Sequence, residues 1–168
     1  MANVTVTCRN FPTEYVPANG MHTRDISLRA VLWAVVTVGA QRFPDVSSIG
    51  WRVFFHRFGM GISALSFLEQ TPEGLCLSDR YRSLDRSEKG AATYSYGMAL
   101  AKIVADVELG MPWLAHVDQM RQSGVLTIAS GTNERGDLVG RDSNDAWHVV
   151  EAKGRSNSYP TSLIMKAK

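Results

Sequence analysis

The stretch Gly136–Gly154, GDLVGRDSNDAWHVVEAKG, decides how the second half of the chain is expected to fold. Two runs rich in apolar residues, Gly136–Gly140 and Ala146–Ala152, flank the polar segment Asp142–Asp145. Apolar runs on either side of a short Asp/Ser/Asn turn are typical of a β-hairpin. We therefore predict two antiparallel strands joined by this turn.

Three ionisable residues of the hairpin, Asp137, Glu151 and Lys153, are candidate site residues. Glu151 and Lys153 lie two apart on one strand, so their side chains share a face. A turn centred on Asn144 places Asp137 directly opposite Glu151, where paired Cβ atoms are about 4.5–5.5 Å apart. A turn centred between Ser143 and Asn144 would direct Asp137 to the other face.

The other strand residues are apolar on both faces, as Leu138-Val139 and Val149-Val150 show. Such strands are typical of a sheet that is covered on both sides. Ionisable groups on such strands are costly unless something compensates their charge. A divalent cation does so, because carboxylate oxygens suit Mg²⁺ or Mn²⁺. The sequence therefore favours a metal site at Asp137 and Glu151.

This arrangement resembles the signature of the PD-(D/E)xK nuclease superfamily, which has the restriction-endonuclease-like fold. The signature is an acidic residue at the start of one strand, followed by (D/E)-x-K on its paired strand. Here the matching residues are Asp137 and then Glu151-Ala152-Lys153, while Gly136 stands where the family usually has proline. The phrase WHVVEAKG, residues 147–154, looks like the family's third core strand followed by a glycine.

The resemblance covers roughly residues 88–168 and implies an α/β fold with a mixed sheet flanked by helices. Residues 91–109 would be the first core helix, and residues 112–130 would contain the first core strand. Residues 1–87 have no recognised counterpart, and we expect a mainly helical N-terminal segment with some strand. The family's core continues with a helix and a strand, whereas only residues 155–168 follow here. We therefore expect a core that is incomplete at its C-terminus, either as a fragment or as a domain completed by a partner chain.

The resemblance also implies roles for individual residues. Asp137 and Glu151 would bind Mg²⁺ or Mn²⁺ together with the backbone carbonyl of Ala152, and the metal would polarise the scissile phosphate. Lys153 would orient the attacking water or stabilise the developing charge. The implied function is metal-dependent hydrolysis of phosphodiester bonds in nucleic acid, with DNA as the expected partner. The first helix offers no clear acidic ligand, because Glu88 lies early and residues 106 and 108 lie late.

Two alternatives stay open. The chain could be a non-catalytic nucleic-acid-binding or assembly module with a degenerate nuclease fold, and a homo-oligomer would support that interpretation. The three charged residues could also form a salt-bridge network on an exposed hairpin edge, since such pairs are common.

The first half of the chain contains further predicted elements. Helical spacing of apolar residues predicts a core helix that starts near Asp25 or Ser27 and ends around Gln41–Arg42. Residues 50–60, GWRVFFHRFGM, are predicted to be an aromatic strand, and Ile62–Gln70 a short helix. The remaining predictions are a charged loop or helix start at 78–90, a helix at 91–109 ended by Gly110, and short strands at 112–118 and 124–130.

Composition narrows the class of protein. The chain has 168 residues, of which 45% are hydrophobic and 20% charged, as expected for one globular domain. The net charge is +2 with 13 Arg against 5 Lys, which permits a nucleic-acid partner without indicating one. The longest apolar run, residues 30–40, is too short to span a bilayer, and no signal peptide is recognisable. We therefore expect a cytoplasmic protein with no membrane partner.

Overall fold

The computed structural model describes residues 2–9, 19–42, 45–46, 50–72, 74–127 and 136–154. The helices are α1 (Leu28–Thr37), α2 (Trp51–Ser66), α3 (Asp79–Ser83), α4 (Arg86–Leu109) and α5 (Val117–Gln122). The strands are β1 (Ala2–Cys8), β2 (Gly20–Ile26), β3 (Leu68–Thr71), β4 (Gly74–Leu77), β5 (Leu114–His116), β6 (Leu138–Arg141) and β7 (Trp147–Val150). They form two hairpins, β1–β2 and β3–β4, and a three-stranded sheet in the order β5-β6-β7. Every described strand pair is antiparallel.

Helix α1 begins where the sequence predicts, but it ends before the predicted position. Ser27 is its N-cap, and the Ser27 hydroxyl accepts a hydrogen bond from Ala30 N at 3.1 Å. The helix stops at Thr37 rather than near Gln41, because Gly39, at a φ of +89°, leaves the helix and donates from its N–H to Leu114 O at 2.8 Å. The end of α1 is therefore set by its contact with β5.

The predicted strand at residues 50–60 is wrong, because this segment forms the first ten residues of helix α2. The aromatic residues favour a strand, but Gly61 and Ala64 form a buried small-residue stripe, in which Gly61 packs on α1 and Ala64 packs with Tyr81, Ala92 and Tyr96. A Cβ added at Gly61 would lie 2.5 Å from Leu32 Cδ1, so the two helices are in close contact. Tertiary packing outweighs local propensity here, and Gly61 with Ala64 at helical spacing is the signal that indicates it.

Three shorter predictions are also corrected. The helix predicted at Ile62–Gln70 ends at Ser66, and Leu68–Thr71 is strand β3, which pairs with β4. Within 112–118, only Leu114–His116 is strand, and α5 begins at Val117. Residues 124–127 are not strand, and the rest of the strand predicted at 124–130 lies outside the described residues.

The predicted helix at 91–109 is confirmed as α4, which starts earlier, at Arg86. Asp85 and Glu88 form a capping box, in which the Asp85 carboxylate accepts from Glu88 N and Glu88 Oε2 accepts from Asp85 N. Gly110 closes the helix in the left-handed conformation, at a φ of +65°. Both ends of α4 therefore follow from local sequence.

Helix α4 lies between α1 and the three-stranded sheet. Ala99 and Ile103 of α4 pack with Ala34 and Val35 of α1. Another part of the same helix packs on β5 and β6, through a cluster that consists of Met98, Ala105, Met111, Leu114 and Leu138. The chain on both sides of residue 88 thus shares this core.

An ion pair ties the β1–β2 hairpin to the end of α4. The Arg24 guanidinium donates to both Glu108 carboxylate oxygens, at 2.7 and 3.0 Å, and the Glu108 side chain is buried. The hydrogen bond from Arg24 lowers the pKa of Glu108 below its ordinary value.

The sheet is covered on one face and only partly on the other, which corrects the prediction of two covered faces. Val117 and Met120 of α5 cover Ala115 and Val139. The six residues of α5 do not reach β7, where Val149 stays 68% exposed. The outer face of β7 is therefore open in the part of the chain that the structure describes.

Replacing Gly97 by alanine should destabilise the fold. A Cβ at Gly97 would lie 2.6 Å from the backbone N of Gly154. Because the neighbouring atom belongs to the backbone, relieving this overlap would require one of the two segments to shift. We expect Gly97→Ala to lower the free energy of unfolding by about 1–3 kcal/mol in urea denaturation. The matched control is Gly90→Ala on the same helix, where a Cβ meets nothing within 4 Å. This control should raise stability by about 0.5–1 kcal/mol, and equal effects of the two variants would contradict the close packing.

Candidate functional site

The β6–β7 hairpin has the register predicted from a turn centred on Asn144. The observed pairs Leu138↔Val150 and Arg141↔Trp147 are symmetric about that residue. Extending the register by one residue sets Asp137 opposite Glu151, just beyond the strand ends. Both then lie on the sheet face that carries Val139 and contacts α5.

Asp142 organises the turn that fixes this register. Its buried carboxylate accepts hydrogen bonds through Oδ1 from Asn144 N at 2.8 Å and from Ala146 N at 2.9 Å. Its other oxygen, Oδ2, lies 3.0 Å from His148 Nε2. Asp145 takes the left-handed conformation at a φ of 68°, which Asp tolerates better than most residues. The turn is therefore specified by side chains that sequence reasoning treated only as turn formers.

Asp137 is half-buried and holds the end of the neighbouring strand. Its Oδ2 accepts a hydrogen bond from Ala152 N at 2.8 Å, and its backbone carbonyl accepts from Val117 N at 3.2 Å. The carboxylate is thus anchored beside the backbone of the E-x-K segment, Glu151–Lys153. Asp137 therefore contacts Ala152, through the N–H of Ala152 and not through the carbonyl oxygen that the resemblance implies as a metal ligand.

Glu151 and Lys153 form an ion pair, with Lys153 Nζ 2.8 Å from Glu151 Oε1. Both side chains are exposed, at 41% and 42%. A pair this exposed contributes little to stability. The ion pair therefore keeps the carboxylate and the ammonium group adjacent while both remain exposed to solvent.

The chemistry of the donors suits a hard divalent cation. Asp137 and Glu151 offer carboxylate oxygens on one face of the hairpin, and Ala152 offers a backbone carbonyl between Glu151 and Lys153. Within the described ranges, however, no three His, Cys, Asp or Glu residues are grouped so that they could hold a metal ion. A cation here would complete its coordination with water, as Mg²⁺ usually does.

Helix α4 does not supply a third acidic ligand. Glu88 is engaged in the capping box at the start of the helix, and Glu108 is paired with Arg24. Asp106 is exposed, one turn before the end of α4. What α4 contributes instead is close contact with the strand end, because Gly97 faces the backbone of Gly154. Gly154, which follows Lys153, is required as well, because a Cβ there would overlap the backbone carbonyl oxygen of Thr93 on the same helix.

His116 lies nearer to the candidate site than its sequence position indicates. Its ring packs against Gly39, and a hydrogen bond connects it to the backbone of Asp137. Burial lowers the pKa of His116, the positive charge of Arg57 lowers it further, and the hydrogen bond to Asp137 acts in the opposite direction. The pairing of β5 with β6 sets His116 opposite Leu138, so its side chain lies on the inner face of the sheet, whereas Asp137 lies on the face that carries Val139.

Arg57 is a structural residue of this region. Its Nη1 donates to the carbonyl oxygens of Val36 at 3.2 Å and Val38 at 2.9 Å, at the end of α1. Burial lowers its pKa. Its guanidinium therefore satisfies helix-end carbonyls.

The comparisons with known proteins identify no relative. No family model, no curated protein and no solved structure matches the chain. Among the described helices, none combines the length and the hydropathy that a bilayer span needs.

Removing the Asp142 carboxylate should weaken the hairpin. Asp142→Ala leaves the N–H groups of Asn144 and Ala146 without this acceptor, so we expect a loss of about 1–3 kcal/mol in the free energy of unfolding. Asp142→Asn keeps an acceptor oxygen and should lose less. Thermal and urea unfolding of both variants measure this, and an unchanged Asp142→Ala protein would contradict the role of the turn.

Two substitutions at Asp137 should separate its structural role from its charge. Asp137→Ala removes the acceptor for Ala152 N and should destabilise the protein by about 1 kcal/mol. Asp137→Asn retains an oxygen acceptor and should unfold like wild type, yet lose Mn²⁺ binding in calorimetric titration. Unchanged Mn²⁺ affinity in a folded Asp137→Asn protein would count against a metal site here.

Proposed function

We propose that this protein is a metal-dependent nuclease that hydrolyses phosphodiester bonds in DNA. The observation that carries the proposal is the β6–β7 register, which sets Asp137 opposite Glu151. Lys153 follows two residues later, with its ammonium beside the Glu151 carboxylate. An acid, a second acid and a lysine on paired strands are the combination that the PD-(D/E)xK signature uses.

The order of elements supports the same proposal. A long helix, α4, is followed by three antiparallel strands that pair in chain order, with the short helix α5 between the first two. The resemblance calls for this order of first core helix, first core strand and two signature strands. The glycine after the lysine also has a physical reason in its contact with α4.

The roles of the residues follow from their positions. Asp137 and Glu151 would hold Mg²⁺ or Mn²⁺, with the carbonyl of Ala152 as a further oxygen ligand. When bound, the cation polarises a phosphate and lowers the pKa of a coordinated water. The hydrogen bond from Ala152 N keeps the Asp137 carboxylate oriented beside this segment. Lys153 supplies a positive charge that orients the attacking water or stabilises the negative charge that develops on phosphate oxygens.

A second candidate is a binding or assembly module without catalysis. It is favoured by the contact between Glu151 and Lys153, whose charges neutralise each other, and by the engagement of Glu88 and Glu108 of α4 elsewhere, in the capping box and with Arg24. Such a module would bind DNA without cutting it.

A cleavage assay with the full chain distinguishes the two. Supercoiled, linear and single-stranded DNA are incubated with Mg²⁺, Mn²⁺ or EDTA. We expect cutting by wild type that requires a metal and falls at least 100-fold in Lys153→Ala. The matched control is Lys89→Ala, in the first turn of α4 and outside the site, which should cut like wild type.

The assay is paired with fluorescence anisotropy on labelled DNA. Binding without cutting by wild type would support the binding module instead. Neither binding nor cutting by a folded wild-type protein would overturn both functions. Equal losses in Lys153→Ala and Lys89→Ala would show that the activity does not depend on this site.

A further inference from the structure

Helix α2 presents an apolar face that no described part of the chain covers. Trp51 is 68% exposed and Phe55 is 61% exposed. Six large exposed side chains on α2 and the neighbouring α1 define this apolar face: Trp33, Trp51, Phe54, Phe55, Phe58 and Ile62. The buried side of α2 is instead the small-residue stripe of Gly61 and Ala64.

The size of the apolar face is that of half a dimer interface. Large side chains of this kind have roughly 150–250 Å² of surface each, so the six exposed fractions amount to roughly 450–750 Å² of apolar surface. The largest apolar patch on an ordinary monomer is about 300–600 Å². A stable dimer buries about 800 Å² per partner. Residues around the apolar face would supply the rest of this buried area.

The apolar face has both a ridge and a groove. Trp51 and Phe55 form the ridge, with ring centroids 6.2 Å apart in an edge-on arrangement. Beside it, α1 and α2 enclose a groove of about 550 Å³, whose lining includes Trp33, Phe54 and Phe58. A surface with a ridge and an adjoining groove can pair with itself about a two-fold axis, each ridge entering the other groove.

The rings of this face are already held by each other. Phe54 and Phe58 stack with centroids 6.1 Å apart and an interplanar angle of 19°, and Phe54 contacts Phe55 edge-on at 5.8 Å. Side chains that are restrained before association lose less conformational entropy when they are buried. Burying this face in an interface would therefore cost less side-chain conformational entropy than burying freely rotating rings.

The charges around the face are compatible with an antiparallel copy of α2, with Arg29 in the lining of the groove and Arg52 at the rim. The six side chains of the face carry no charge, as in the apolar centre of homodimer interfaces. Arg52 lies at the rim, with its guanidinium 5.4 Å from the Trp51 ring, in the first turn of α2. A second α2 that packs antiparallel would bring its C-terminal carbonyls towards Arg52. The positive charge of Arg52 would then be attracted by the partial negative charge of that helix C-terminus.

We infer that a second copy of this chain covers the apolar face, in a two-fold symmetric dimer built on α2. The inference is independent of the proposed nuclease function, because none of its residues belongs to the candidate site.

Sedimentation velocity of the full chain between about 1 and 100 µM tests this, without nucleic acid or metal. Wild type should sediment as a dimer of twice 18.5 kDa. Phe55→Glu and Ile62→Glu place like charges across the two-fold axis and should raise the dissociation constant at least 100-fold. Both side chains are exposed, so circular dichroism should show an unchanged fold. The matched control is Trp147→Glu, an exposed aromatic on β7 outside the face, which should remain dimeric.

Three results would overturn the inference. A wild type that stays monomeric at 100 µM excludes the dimer. A dimer that persists in both folded glutamate variants uses another surface. A monomeric wild type that floats with phosphatidylglycerol-containing vesicles, while Phe55→Glu does not, shows that a lipid surface occupies the face.

Discussion

The carboxylate of Asp142 determines the arrangement of every residue in the candidate site. It holds two backbone N–H groups across the β6–β7 turn and contacts His148, so only one register of the hairpin satisfies it. Because side chains alternate along a strand, a slip of one residue would put Asp137 and Glu151 on opposite faces. The possible chemistry of Lys153 and its neighbours thus depends on a turn residue that would not touch a substrate.

A second constraint is the close approach between α4 and the strand that ends at Gly154. Gly97 and Gly154 face each other without side chains, which lets the backbone of the strand end lie directly on the helix. Met98 of α4 then packs against Leu138 on the inner face of the sheet. The inner face is therefore closely packed, while the outer face, with Glu151 and Val149, remains accessible. A rigid support beneath exposed polar groups is what a site acting on a large substrate needs.

Helix α2 shows how far local propensity can mislead. Its aromatic residues are typical of a strand, yet the segment becomes a helix because Gly61 lets it pack closely on α1 while Ala64 packs against α3 and α4. The same packing turns the aromatic side chains outward and creates the apolar face. The candidate site and this face are formed by different elements, so the proposed catalysis and the proposed dimer can be tested separately.

The sequence alone determined the features that depend on neighbouring residues. The N-cap at Ser27, the capping box at Asp85 and Glu88 and the stop at Gly110 all arise from interactions over a few positions. The sequence also predicts the β6–β7 hairpin, but it leaves open two turn centres, and the structure selects the one at Asn144. Only the tertiary structure decided the helical state of α2, the end of α1 at Gly39, the position of His116 beside Asp137 and the open outer face of β7. Each of these depends on a contact between residues far apart in the chain, and local propensity and periodicity do not encode such contacts.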